Sequence, residues 1–365
     1  MIIHPLTRRR IVSRSRTALL TAAVVSVAGI TTAAAQPTAS SPYKVSEFAQ
    51  SPAGASQPDS IVQWHDSVIV GFQNHVAKDG SDGKSSTIVE FSSAGKVKRT
   101  FSVRGHNDGL RVIDENLLWA LQNEDANPNL VIIDLRSGTQ TLYQFPPTPH
   151  GGGYDDIVVK HGRVYFTASN PTLDPNGINV FPVLVRATLS GTSVILQPIL
   201  NGNANATDLT TGKTVSLNLT DPDSMTIDPR GNIVFVSQAD SVLVFVRHPG
   251  AANQAVGVLP LSSSVTGPNN ATITIDDTAF APESSASLLV TDVNAGVIYR
   301  IDRAVLGERG FEPGRAYSAS DTLGLVGTLN VDNGFITPSV TGFGSARGLL
   351  FLSAESERDQ GEEDD

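Results

Sequence analysis

The stretch Pro222-Asp223-Ser224-Met225-Thr226-Ile227-Asp228-Pro229-Arg230-Gly231-Asn232-Ile233 runs from an aspartate into apolar residues, through a polar turn, and into a second apolar run. Its opening is a phrase that the chain repeats: a polar residue, an aspartate, a small residue, then apolar side chains. The phrase returns as Pro58-Asp59-Ser60-Ile61, Asn107-Asp108-Gly109-Leu110, Asp155-Asp156-Ile157 and Asp276-Asp277-Thr278-Ala279. Aspartates 59, 108, 156, 223 and 277 are spaced by 49, 48, 67 and 54 residues. A degenerate sixth copy, Pro338-Ser339-Val340, follows 62 residues after Asp277 with serine in the aspartate's place.

Each phrase opens a similar paragraph. A first strand meets a polar turn (His65-Asp66, His161-Gly162, Arg230-Gly231-Asn232) and a second strand follows. The second strands are Val68–Phe72, Leu117–Leu121, Val164–Ala168, Ile233–Ser237, Leu288–Thr291 and Leu349–Ser353. Third and fourth strands come next, as in Thr87–Phe91 with Val97–Val103 and Leu130–Asp134 with Thr139–Phe145. These runs are rich in Val, Ile, Leu and aromatics and punctuated by glycine, which is strand chemistry. Only Ala304–Arg309 offers a helical turn or two. Four strands per unit at a period near 52 residues predict an all-β, six-bladed β-propeller. After the sixth copy one more strand fits, so the outer strands of that unit are expected from Tyr43–Phe48 and from segments such as Thr322–Leu329. Strands from both termini then close the ring and protect its edges.

The chain has 365 residues, 40% apolar and 17% charged, with 32 glycines and 21 prolines. That apolar fraction excludes global disorder, and the glycines lack a collagen period. With no cysteine there are no disulfides, thiolate metal sites or cysteine nucleophiles. Residues 1–35 hold five arginines and no acid, then the apolar run Ala18 to Ile30, then Ala33-Ala34-Ala35. This is the layout of an export signal, too short for a membrane span. Thr7-Arg8-Arg9-Arg10-Ile11-Val12 also admits the twin-arginine route. Cleavage near Ala35 leaves a secreted or periplasmic chain with 21 basic and 36 acidic side chains, a net charge of −15. Such a balance argues against nucleic acid as partner. The domains are then the signal at 1–35, the propeller at 36–354 and a solvated acidic tail at 355–365.

Asn107-Asp108-Gly109-Leu110 followed by Leu118-Trp119-Ala120 resembles a signature of the gluconolactonase (senescence-marker-protein) family. Pro222 to Ile233 is similar to an NHL repeat. The resemblance implies a six-bladed ring whose axial glutamate, asparagines and aspartate hold a divalent metal that activates a lactone or phosphoester. Asn107 and Asp108 match that motif. Pro58-Asp59 replaces the family's glutamate-glycine-proline, and Tyr154-Asp155-Asp156 replaces its asparagine-glycine pair.

Propeller topology sorts side chains by face. The first–second and third–fourth turns share the bottom, which takes His65, His161 and His248. The phrase aspartates and His75, His106 and His150 belong at the top. Carboxylates converging on an axis raise each other's pKa, and a hard cation, calcium above all, relieves that conflict. Candidate ligands are Asp59, Asn107, Asp108, Asp156, Asp223 and Asp277, with His106 or His150 as proton acceptor near neutral pH. The competing role for each aspartate is structural, bonding backbone amides of the neighbouring blade. His150-Gly151-Gly152-Gly153 resembles a lipase oxyanion loop, but the chain has no Gly-x-Ser-x-Gly elbow. Those glycines let the link pass close over the channel or offer amides to an anion. The long loops Asn74–Ser86, Asn123–Asn129 and Asn170–Asn179 gather at the top, and Asn201–Thr220 reads as a hairpin able to cover the mouth.

Two functions follow: a monomeric, metal-dependent hydrolase of the lactonase type acting on a small molecule, or a non-catalytic propeller binding a ligand, glycan or protein on that face. The tail from Glu355 onward has no apolar side chain to bury. Its deletion should leave the melting temperature unchanged, and a drop of several degrees in a calorimetric scan would show that it packs.

Overall fold

The computed structural model describes residues 36–266, 273–283, 285–305 and 308–353, and every regular element among them is a β-strand. The export signal and the acidic tail lie outside the described residues. Polar turns separate the apolar runs where the repeat placed them. Pro58–Trp64 pairs antiparallel with Ser67–Phe72, that strand with Ser85–Phe91, and that with Val97–Arg104. The same meander runs from Asn107–Ile113 out to Gln140–Gln144, from Tyr154–Lys160 out to Ser193–Asn201, and from Pro222–Ile227 out to Ala255–Pro260. One parallel bridge, Gln144 to Ser193, joins the second and third arrays into an eight-stranded sheet.

The last two arrays depart from chain order. Asp277–Phe280 is innermost in the fifth, followed outward by Ala316–Ser320, Leu325–Leu329, Phe335–Thr341 and the N-terminal Thr38–Ala39. Between the first two of these, the chain crosses to the neighbouring array and lays down Ser285–Asp292 and Val297–Val305. It completes the fifth array, then returns with Ala346–Ser353 as the innermost strand of the sixth. Tyr43–Gln50 covers that array's outer edge, in the place expected for Tyr43–Phe48. The innermost strands touch in cyclic order, and Ala346–Ser353 meets Pro58–Trp64. Sheets set around one axis in this way form a β-propeller.

Several expectations change accordingly. Pro338-Ser339-Val340 lies in an outer strand of the fifth array and does not open the sixth, and Leu349–Ser353 is part of an innermost strand. Leu288–Thr291 is a second strand, but of the array after the one that Asp277 opens. Leu325–Leu329 belongs to the fifth array. Proline is tolerated at Pro338 because the pairing there shifts register beside Gly327, as outer strands allow. The described part of Ala304–Arg309 is strand rather than helix. Asn201–Thr220 does form a hairpin, Asn205–Asp208 with Thr214–Ser216, but it adds in parallel to Ala255–Pro260 at the outer edge of the fourth array. It packs Ala206, Leu217 and Leu219 into the core there, which holds it away from the mouth.

Apolar side chains fill each seam between arrays. Ile69, Ile88, Leu118 and Ile133 pack between the first and second. Between the fifth and sixth, Phe311 meets the rings of Tyr43, Tyr317 and Phe351 at 6.3, 5.2 and 5.1 Å. The Tyr43 and Tyr317 hydroxyls lie 3.0 Å apart, so the N-terminal strand is anchored where the ring closes. Phe311→Ala should cost about 3 kcal/mol through the cavity it leaves, roughly 5 °C of melting temperature for a chain this long. Val97→Thr on an exposed outer strand is the control and should leave melting unchanged; equal stability of both variants would remove the anchor.

Candidate metal and acid–base site at the channel mouth

Four innermost strands carry a register shift across their first residues: Pro58/Ile61, Asn107/Leu110, Tyr154/Ile157 and Pro222/Met225. A fifth shift lies opposite Ala346, between Val290 and Asp292. Such bulges leave a residue out of the ladder and re-aim its side chain. The residues that follow the first pair of each strand are Asp59, Asp108, Asp155, Asp223 and, in the sixth array, Arg347; Asp276 stands just ahead of the fifth. All six line one cavity of about 480 Å³ at the strand starts.

The aspartates expected on the axis at positions 156 and 277 are therefore each one residue past the equivalent place. Asp156 Oδ2 accepts a hydrogen bond from the Met225 amide at 2.7 Å, and Asp277 Oδ2 one from the Leu349 amide at 2.7 Å. Both tie one innermost strand to the next, the structural role the sequence left open, while also lining the cavity. Asn107 is not in the cavity wall; its Nδ2 donates to the Leu121 carbonyl at 2.9 Å. His150 is also absent from the wall. It is buried, its Nδ1 accepts from the Gly152 amide at 3.1 Å, and burial lowers its pKa.

Ten carboxyl groups line the cavity, against three cations, Lys78, Arg111 and Arg347. Arg347 reaches Asp59 and Asp276 at 3.4 Å each. The Gln73 amide donates to both Asp59 and Asp108, and Gln238 to Asp276. Asp155 and Asp223 share the cavity wall, and the Asp223 charge adds to burial in disfavouring the ionised form of Asp155. Desolvation by burial, reinforced by neighbouring carboxylates, holds Asp108, Asp155, Asp223 and Asp276 well above the usual carboxyl range. Burial likewise brings Asp277 to about 7, against the opposing pull of its bond from Leu349.

On one side of the mouth, single ligand atoms from His106, Asp108 and Glu124 lie within 4.8 Å of one another. The Val76 carbonyl sits 2.9 Å from His106 Nδ1, and a carbonyl only accepts, so Nδ1 carries a proton and, in the neutral imidazole, Nε2 holds the lone pair. His106 Nε2 and Asp108 Oδ2 are buried without a hydrogen-bond partner. Buried polar atoms are seldom left bare, because their desolvation goes uncompensated. One nitrogen and two carboxylate donors fit a divalent cation. Glu124 is also held by Lys78 at 2.5 Å. Burial favours its neutral form, yet the charge and hydrogen bond of Lys78 keep it below the ordinary range.

Neither Glu124 nor Lys78 stood out in the sequence. Both come from long top-face loops, and the neighbouring chain sets their position. The Gly153 amide and Ser169 Oγ each bond the Glu124 carbonyl at 2.7 Å. A Cβ at Gly153 would press on the Asn123 and Glu124 carbonyls, so the glycine run serves close approach.

No protein-family profile and no curated protein matches the sequence. Solved structures that are similar include a streptogramin B lyase, at 15% identity over 85% of this chain and 98% of that one, with a TM-score of 0.46. Virginiamycin B lyase from Staphylococcus aureus is 10% identical over 80% of this chain and 86% of its own, also at 0.46. A gluconolactonase-family protein is 11% identical over 86% and 90%, again at 0.46. Among the described residues no helix is long and apolar enough to cross a membrane.

The raised carboxyl pKa values fix a sign. Between about pH 4 and pH 7 the folded chain binds more protons than the unfolded one, so stability falls as pH rises. In chelator the melting temperature should be higher at pH 5 than at pH 8, and a bound divalent cation should flatten that slope. A melting temperature that climbs from pH 5 to pH 8 in chelator contradicts the cluster as described.

Proposed function

We propose that the protein is an exported six-bladed propeller that hydrolyses a small ester or lactone with a divalent metal at the channel mouth, working as a monomer. The observation that carries this reading is the bare, buried pair His106 Nε2 and Asp108 Oδ2 beside Glu124. These three would hold the ion. A nitrogen donor in the set favours zinc or manganese over the calcium that oxygens alone suggest, and calcium stays as one arm of the test. When bound, the ion supplies Lewis-acid polarisation of a carbonyl and neutralises part of the acid excess.

The Asp155–Asp223 pair then fits general acid–base work, since burial raises both carboxyls above the ordinary range, toward the pH at which a proton is both taken and given. The Asp223 carboxylate takes the proton of an attacking water. As the acyl carbon–oxygen bond breaks, the proton on Asp155 passes to the leaving alkoxide. Arg347 and Gln73 hold the neighbouring carboxylates in place. The Asn107-Asp108-Gly109-Leu110 phrase supports a lactone over other esters through its likeness to the gluconolactonase signature.

A second reading has its own support. Lys78 already bonds Glu124, and Arg347 already lies between Asp59 and Asp276. With ten acids facing three cations, the same mouth suits capture of a cationic small molecule without chemistry. Elemental analysis with a lactone and phosphoester panel, in chelator and after adding back zinc, manganese or calcium, separates the two. The enzyme reading expects bound metal, hydrolysis abolished by chelator, and a loss of roughly a hundredfold or more in Asp223→Asn. A metal-free protein with no hydrolysis above the uncatalysed background, with or without added metal, would leave the binding reading in its place.

A further inference from the structure

The turns at the opposite ends of the innermost strands build a second concavity, of about 430 Å³, between the third and fourth arrays. A strand of six or seven residues separates it from the acidic mouth by roughly 20 Å. Its wall carries Lys160, His161 and Arg163 from one turn, Arg230 from the next, and Arg247 and His248 from a third. The wall contains no carboxylate. On a chain of net charge −10 this is a local inversion of sign.

The arginine charges are free to meet a ligand. The guanidinium groups of Arg163, Arg230 and Arg247 make no hydrogen bond or ion pair among the described residues. Asp228, the acid beside Arg230 in sequence, spends its oxygens on its own turn. It accepts from the amides of Arg230 and Asn232 at 3.0 and 2.7 Å and from Asn232 Nδ2 at 2.7 Å. The frame around the charges is fixed. Lys160 donates to the Gly231 carbonyl, bridging the two arrays. His161 and His248 occupy left-handed turn positions, with φ of 49° and 50°. The Ala251 amide bonds the His248 carbonyl at 3.1 Å. Like charges gathered in a rigid recess repel each other, and an anion relieves that repulsion as a cation does at the mouth.

The geometry points to a binding site for a small anion bearing two or more phosphate- or sulfate-type groups. Planar guanidinium forks match tetrahedral oxyanions in pairs, and cations from three turns suit more than one such group. The same chemistry is offered by a soluble oligophosphate and by an anionic lipid headgroup.

Calorimetric titration of the full chain with inorganic tripolyphosphate tests the site, alongside co-sedimentation with vesicles of cardiolipin, whose headgroup carries two phosphates. Tripolyphosphate should bind at low salt and weaken as salt is raised. Arg230→Gln with Arg247→Gln should weaken it by about tenfold or more, while Asp108→Asn at the mouth should bind unchanged. Both arginines are exposed, so the double variant should melt like the parent. Binding to vesicles alone, lost in the double variant, would assign the headgroup as the source. Absence of binding to either probe, or binding that survives in the double variant, overturns the site.

Discussion

Closing a ring of strands brings the first residues of every innermost strand toward one axis, and five neighbouring arrays place aspartate there. Each carboxylate is partly desolvated and sees the others across a narrow space, where like charges interact strongly. Arg347 occupies the sixth place and lies between Asp59 and Asp276, the carboxylates of the adjoining arrays. The two amides of Gln73 and Gln238 and the loop cation Lys78 absorb more of the repulsion. Burial and mutual repulsion push Asp108, Asp155, Asp223 and Asp276 up, so protons on these carboxyls take up a further share. The fold thus tolerates its acidic axis only with counter-charges or protons in place, and that leaves room for a metal or a cationic ligand.

The repeat was legible where chain order and spatial order coincide. Through the first four arrays each phrase opens its own meander, so spacing alone identifies the strands. The reading broke where the chain crosses between the last two arrays, because periodicity says nothing about which sheet a strand joins. Pro338-Ser339-Val340 satisfied the pattern by composition, yet it pairs in an outer strand. The true sixth opening, Ala346-Arg347-Gly348-Leu349, was hidden because arginine replaces the aspartate that defined the search.

The same limits apply to the site. Asp59, Asp108 and Asp223 could be found from the phrase, since one aspartate stands there alone. At Asp155-Asp156 and Asp276-Asp277 two adjacent acids compete, and neither the bulge after Tyr154 nor the strand start at Asp277 is visible in composition. Asn107 and His150 were plausible by type, but packing directs one to the Leu121 carbonyl and the other into its own loop. Glu124 and Lys78 come from loops whose paths depend on contacts with the next array, so local sequence does not place them. His106 was identified by position, and the tertiary structure adds its tautomer: Nδ1–H donates to the Val76 carbonyl, which in the neutral ring leaves the Nε2 lone pair to bind a metal.

The two ends of the strands carry opposite chemistry for different physical reasons. At the mouth the ionisable groups are buried and held by backbone amides, glutamines and one another, so their protonation is tuned by the fold. On the underside the arginines are exposed and, among the described residues, unpaired, so their use is attraction. Tuned, desolvated acids suit proton transfer, whereas solvated guanidinium groups suit recognition. Turns at one end of an innermost strand and bulges at the other sit on the same rigid sheet, and each can be altered without disturbing the other. A propeller can therefore carry a reaction at one face and an anchor for an anion at the other, with the strands between them serving as the common scaffold.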